Sequence, residues 1–283
     1  MAKKLAYLGP AGTFTEEAAL RYEPQMVRIP FTTISAVGNA VISGITDEGV
    51  VPIENSLEGS VNDTLDLLIR ESKLQIRQEL VLPIEHYLLT KEHAQLAEIA
   101  VIYSHPQALA QCRLFLEGNF PKAQMVAAHS TAMAVEEMKT SPVPAAAVAT
   151  RRASELYGAT IMAKGIQDSL SNVTRFAILS LTDHPRTGQD KTSLCFSFQE
   201  DLPGQLYGVM GEFAQRGINM AKVESRPTKE ILGRYTFLVD VEGHREDPIL
   251  NGALLMVGRR VSTLRIFGSY PAYSTKSLEP KPS

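Results

Sequence analysis

Residues 5–22 read Leu5-Ala6-Tyr7-Leu8-Gly9-Pro10-Ala11-Gly12-Thr13-Phe14-Thr15-Glu16-Glu17-Ala18-Ala19-Leu20-Arg21-Tyr22: an apolar run, a turn of small residues, then a helical pattern. A buried strand feeding a helix through such a turn is the repeating unit of α/β layered folds. The unit returns where the run 49–52 precedes the helical pattern 61–71, and again where 100–103 precedes 107–116. Residues 80–89 form a long β-type run interrupted by Pro83, and 145–149 and 177–181 read as further strands. Residues 1–182 are therefore expected to form an α/β unit of two lobes joined by crossing strands. Residues 183–191 are polar, with Pro185 and Gly188, and read as a linker. Residues 192–270 follow the order strand 192–198, helix 203–215, strand 220–225, strand 235–241, helix 248–257, strand 261–267. That βαββαβ order is ferredoxin-like. Residues 271–283 carry three prolines and read as a fraying tail.

Composition narrows the function. A chain of 283 residues, 44% hydrophobic, is long enough for two domains with substantial cores. Twenty-eight Lys and Arg against 31 Asp and Glu give a net charge of −3, without a basic block, so nucleic acid is not an expected partner. The start, Met1-Ala2-Lys3-Lys4 and a four-residue apolar run, lacks the core of a signal peptide or a membrane span, and a cytoplasmic location is expected. Cys112 and Cys195 stand alone and read as buried thiols. The six histidines form no ligand-spaced cluster, so no metal is expected.

Four polar islands follow strand ends, namely Gly12 and Thr13; Glu54, Asn55 and Ser56; Ser104, His105, Pro106 and Gln107; and Ser130 and Thr131; a fifth, Asn172-Val173-Thr174-Arg175-Phe176, stands directly before the apolar run from Ala177. Each of the first four reads equally well as a helix cap. In an open α/β sheet, however, all five converge beyond the carboxyl ends of the strands, where ligands bind. The inventory is rich in hydroxyls, amides and helix N-termini, and poor in paired acids and strong nucleophiles. It suits the positioning of a small anion.

In order and content, these segments resemble those of prephenate dehydratases, and the C-terminal unit resembles the ACT domain that gives these enzymes feedback control. The resemblance covers nearly the whole chain. It implies conversion of prephenate to phenylpyruvate without a cofactor, L-phenylalanine as effector, and a homodimer or homotetramer. It implies a catalytic group of Thr174, Arg175, Asn55 and Glu54, with Gly12, Thr13, Ser56, Ser104, Gln107, Ser130, Thr131, Asn172 and Phe176 binding substrate. Strand alternation ranks Thr174 above Arg175 for direct contact, and leaves Arg175 as a partner for Glu54, an anion ill-suited to touch a dianion. The implied effector segments are Leu202-Pro203-Gly204 after Asp201, Gly217-Ile218-Asn219-Met220, and Glu224-Ser225-Arg226-Pro227. The second keeps only the glycine of the family's Gly-Ala-Leu-Val, and Glu85-His86 stands where many relatives carry two histidines. An arogenate dehydratase and a two-lobed sensor without chemistry are the rival readings.

Overall fold

The structure is a computed structural model that describes residues 2–200, 202–228 and 233–273. The first lobe comprises β1 (Lys4–Leu8), α1 (Phe14–Tyr22), β2 (Val27–Phe31), α2 (Ile34–Ile42), β3 (Glu48–Asn55), β4 (Gly59–Ser60), α3 (Asn62–Arg70) and β5 (Gln75–Pro83). The second holds β6 (Tyr87–Thr90), β7 (Val101–Ser104), α4 (Pro106–Gln111), α5 (Arg113–Asn119), β8 (Gln124–Ala127), α6 (Thr131–Thr140), β9 (Ala145–Ala149), α7 (Arg151–Tyr157) and β10 (Thr160–Lys164). The chain then returns to the first lobe as β11 (Val173–Ser180). The first sheet runs β2-β1-β3-β11-β5, with β4 on β3, and the second β10-β6-β9-β7-β8. β1, β2 and β3 are parallel, whereas β11 lies antiparallel between β3 and β5.

The two segments that cross between lobes hydrogen-bond to each other, Ile84 N to Asn172 O at 2.8 Å and Ile166 N to His86 O at 3.1 Å. The lobes also touch at the first turn. Thr150 Oγ1 donates to Gly12 O at 2.7 Å, Tyr157 OH donates to Ala11 O, and Arg152 pairs with Glu16.

The C-terminal unit is β12 (Asp190–Ser197), α8 (Gln205–Ala214), β13 (Met220–Pro227), β14 (Tyr235–Glu242), α9 (Pro248–Arg260) and β15 (Thr263–Pro271), in sheet order β13-β14-β12-β15. The helices cover one face through Val209, Phe213, Ala253 and Val257, packed on Leu194, Phe196, Val239 and Val241. The other face lies on the first lobe: Cys195, Leu238, Phe267 and Tyr270 share a core with Val51, Ile53, Ala177 and Leu179. β15 approaches β5 so closely that a Cβ on Gly268 would clash with the backbone of Ile76, well inside van der Waals contact distance of its carbonyl oxygen.

Several expectations shift. β12 starts at Asp190, inside the expected linker, because its carboxylate accepts from Thr187 and Gly188 and fixes the turn. β11 starts at Val173, so all of the polar island except Asn172 lies within the strand rather than before it. The single helix expected over 107–116 breaks at Cys112. The carboxylate of Asp168 accepts from Leu114 N, while Asp168 N donates to Gln111 O at 2.7 Å, so the irregular segment of the crossing wedges the helix apart. β15 runs on to Pro271; the remainder of the expected tail from residue 274, like Asp201, lies outside the described residues. Among the described residues no helix is long and apolar enough to cross a membrane.

Candidate active site

A cleft of about 470 Å³ separates the lobes. Thr13, Thr15, Asn55, Thr174 and Phe176 line it from the first lobe, and His86, His105, Gln107, Gln111, Ser130 and Thr131 from the crossing and the second. The N-termini of α1 and α6 open on it, capped by Thr13 Oγ1 accepting from Glu16 N and Ser130 Oγ accepting from Met133 N. Neither lysine nor arginine is among its described lining. An anion held here meets amides, hydroxyls and helix dipoles rather than a formal cation.

The polar floor has a fixed direction. Asn55 Oδ1 accepts from the backbone N–H groups of Leu57 (3.0 Å) and Glu58 (3.1 Å), which can only donate, so the other end of the amide must be the NH₂ group. That Nδ2 donates to Thr174 Oγ1 at 2.9 Å and Asn172 Oδ1 at 2.8 Å. Asn172 Nδ2 then donates to Gln111 Oε1 at 2.8 Å. Since Gln111 Oε1 can only accept, His86 at 3.1 Å meets it with an Nε2–H. Burial depresses the His86 pKa despite that hydrogen bond and keeps the ring neutral. His86 Nδ1 and Gln111 Nε2 are buried without a protein partner. Thr174 accepts from Asn55, so its own hydroxyl proton remains available to the cleft.

Arg175 lies on the other face of β11, as alternation requires. It pairs with Glu54 at 2.9 Å, Glu79 at 3.1 Å and Asp240 at 2.7 Å, out of the cleft. Direct catalytic contact by Arg175 and Glu54 is therefore corrected. Four substrate-binding placements change too. Gly12 turns inward: its N–H is taken by Glu16 Oε2 at 2.7 Å and its carbonyl by Thr150. Ser104 is fully buried and donates to Val148 O. Ser56 is exposed and bonds Ser171 O. Asn172 stands behind the lining, between Asn55 and Gln111.

A family model described as prephenate dehydratase matches residues 5–184. The chain belongs to the prephenate dehydratase family. An ACT domain model matches residues 196–255. The chain is 42% identical to the bifunctional chorismate mutase/prephenate dehydratase of Aquifex aeolicus, over 95% of this chain and 73% of that one. It is 36% identical to the prephenate dehydratase of Bacillus subtilis, covering 95% of this chain and 99% of the relative. The L-Phe complex of prephenate dehydratase from Arthrobacter aurescens superposes with a TM-score of 0.88 at 36% identity, covering 95% of this chain and 90% of that one. GqqA, a quorum-quenching acylase, superposes with a TM-score of 0.85 at 32% identity, covering 97% and 100%.

Within this prephenate dehydratase fold the C-terminal segments are laid out as follows. Gly204 (φ 85°) opens α8 beside Leu202 and Pro203, and Gly217 (φ 68°) closes the turn after it, a backbone conformation that favours glycine. Ile218, Asn219 and Met220 lead into edge strand β13, with Asn219 bonded to Glu242. On β13, alternation turns Glu224 and Arg226 towards the first lobe. Glu224 accepts from Ser60 at 2.6 Å, and Arg226 pairs with Asp66 at 2.9 Å, leaving Ser225 and Pro227 exposed. Gln111 lines the site although motif reading did not single it out, and His86, noted there only as a departure from the family's histidine pair, lines it too. The available signal was Gln107 and Gln111, four apart on one helical face directly after a polar island.

Proposed function

We propose that the protein converts prephenate to phenylpyruvate, carbon dioxide and water, with L-phenylalanine as effector at the ACT domain. The observation that carries the reading is Thr174, whose Oγ1 is occupied by the Asn55 amide and whose proton is left for an acceptor in the cleft. In this reaction the ring carboxylate leaves as carbon dioxide, its C–C electron pair enters the ring, and the para hydroxyl departs with a proton as water. Aromatisation supplies the drive, so the protein must hold the dianion, polarise the leaving hydroxyl and avoid over-stabilising the departing carboxylate. A cleft with helix N-termini and neither lysine nor arginine among its described lining meets the last requirement.

In this reading Thr174 contacts the leaving hydroxyl, and Asn55, Asn172 and Gln111 orient it. Thr13, Gln107, Ser130 and Thr131 hold carboxylates, and Phe176 packs on the ring. Arg175 and Glu54 brace β11 and β3 from behind. A threonine hydroxyl is a weak acid, so it polarises the C–O bond or relays a proton from solvent rather than ionising. None of the described cleft hydroxyls is hydrogen-bonded to an imidazole, so the geometry favours dehydration over acyl transfer, which needs a nucleophile and its base in contact.

We assign residues 1–182 to catalysis, 183–191 to the connection and 192–270 to regulation. L-Phenylalanine binding rests on the two positive-φ glycines flanking α8 and on the Arthrobacter complex. Exposed Tyr207 on α8 and Ile249 and Leu255 on α9 support subunit contact through the ACT helices, as a homodimer or homotetramer in the cytoplasm. Ultraviolet detection of phenylpyruvate on adding prephenate, with arogenate in parallel, tests the function. A protein that leaves prephenate unchanged refutes it.

A further inference from the structure

The strand pairing between β3 and β11 places two side-chain pairs on adjacent rungs: Thr174 opposite Asn55, and Arg175 opposite Glu54. The first pair faces the cleft and the second faces the ACT sheet. Behind the rungs lies a cluster with few exposed atoms. Besides its bonds to Glu54 and Glu79, Arg175 is held by Asp240 of β14 at 2.7 Å. Glu54 is also held from the ACT side, by Lys222 of β13 at 3.2 Å. Lys191 of β12 completes the ring at 2.6 Å from Glu79.

Asp240 is fixed from behind in turn. Ser193 donates to its Oδ1, and Ser193 also bonds the hydroxyl of Tyr270, which is 1% exposed. Burial pushes the Asp240 carboxyl up, but Arg175, Lys191 and the Ser193 bond outweigh burial and hold it below its ordinary value. Arg175, although desolvated, is raised by Asp240, Tyr270, Glu79 and Glu54. Both groups are therefore charged at neutral pH.

Buried ion clusters are poor sources of net stability compared with well-packed apolar side chains. The apolar contacts of Leu238, Phe267 and Tyr270 already join the domains. What the cluster adds is direction: bonds of fixed length from two ACT strands, β13 and β14, to the two residues next to the catalytic pair, about 3.8 Å along the backbone from Thr174 and Asn55.

We infer that Asp240 and Lys222 of the ACT domain are positioning residues for dehydration, setting the Thr174–Asn55 geometry through Arg175 and Glu54. The inference rests on the dehydratase reading above. Under it, displacement of the ACT sheet acts on the chemical step rather than on substrate capture, because Arg175, Glu54, Asp240 and Lys222 do not line the cleft.

The test compares the full-length protein with Asp240→Asn and Lys222→Met by steady-state phenylpyruvate formation and by amide hydrogen exchange of residues 53–56 and 172–176. The expected result is a fall in kcat of about 10-fold or more per folded molecule with KM within about twofold, the pattern of reacting groups displaced by a fraction of an ångström. Exchange in both segments accelerates in parallel. A purely adhesive cluster lowers the unfolding temperature while kcat stays within about twofold and exchange is unchanged, and that result overturns the inference. If the parent forms no phenylpyruvate, the dehydratase reading fails instead, and the exchange measurement alone decides whether the ACT residues set the strand geometry.

Discussion

Asn55→Asp is nearly isosteric and reverses one end of the amide. The native Nδ2 donates to Thr174 Oγ1 and Asn172 Oδ1, and lies 3.2 Å from Val173 O. In the variant a carboxylate oxygen faces two acceptors, Asn172 Oδ1 and Val173 O, that it can only repel. Losing two buried hydrogen bonds at about 1 kcal/mol each, with an orphaned acceptor costing about as much again, predicts a stability loss of about 2–3 kcal/mol. The kinetic effect is larger and has a different origin. Thr174 turns its proton to the new carboxylate, so the leaving hydroxyl loses its donor, a loss of about 10²-fold or more in kcat. Added negative charge beside a dianion also raises KM. The assay is a double-mutant cycle with Thr174→Ala, followed by phenylpyruvate absorbance and denaturant unfolding. Because both changes remove the same proton from the cleft, Asn55→Asp should cost little further kcat in the Thr174→Ala background. Two losses that multiply independently, or a single Asn55→Asp variant with kcat within about threefold of the parent, would refute the polarity assigned to the floor.

Thr174→Ser should keep much of the rate that Thr174→Ala loses, since the hydroxyl survives; equal losses in single-turnover measurements would point to the methyl group instead. Gly268→Ala should lower the unfolding free energy by about 1–3 kcal/mol, because β15 must withdraw from Ile76 and loosen the domain contact; calorimetry reads this as a lower unfolding temperature. Arg175→Met leaves Glu54, Glu79 and Asp240 facing one another, and about 3–5 kcal/mol should be lost in urea unfolding. His86 and His105 have pKa values depressed by burial from 6.5, so the unfolded chain binds more protons below that pH. Stability should be flat above about pH 6.5 and fall as the pH drops towards 5, with a shallower fall in His86→Gln.

The α/β unit and the βαββαβ unit were legible because their central strands are continuous apolar runs, such as Ala145–Ala149, which is wholly buried. Edge strands left weaker marks. β2 carries Pro30 and is half-exposed, and β8 and β10 expose most of their residues, so no clean period survives. The break at Cys112 comes from Asp168, 56 positions later, a contact that no local pattern encodes. The Thr174–Asn55 pair was legible as two motifs. Which face each neighbour takes followed from alternation, and that Arg175 reaches Glu54 was foreseeable. Its grip on Asp240 was not, because it depends on how two domains dock. Gln111 was hidden inside a helix whose pattern reads as ordinary amphipathic packing.

The two crossing segments set the mechanical character of the molecule. A single connection would act as a tether, free to twist; two that are stitched together by hydrogen bonds act as a hinge, with one easy direction of bending. The amide chain straddles that hinge, with Asn55 on one leaf, Asn172 at the pin and Gln111 on the other leaf. Thr174 and Asn55 pair across adjacent strands of one leaf, whereas the bond from Asn172 to Gln111 reaches the other. Bending about the hinge therefore loads the Asn172–Gln111 bond and leaves the Thr174–Asn55 bond within its own leaf.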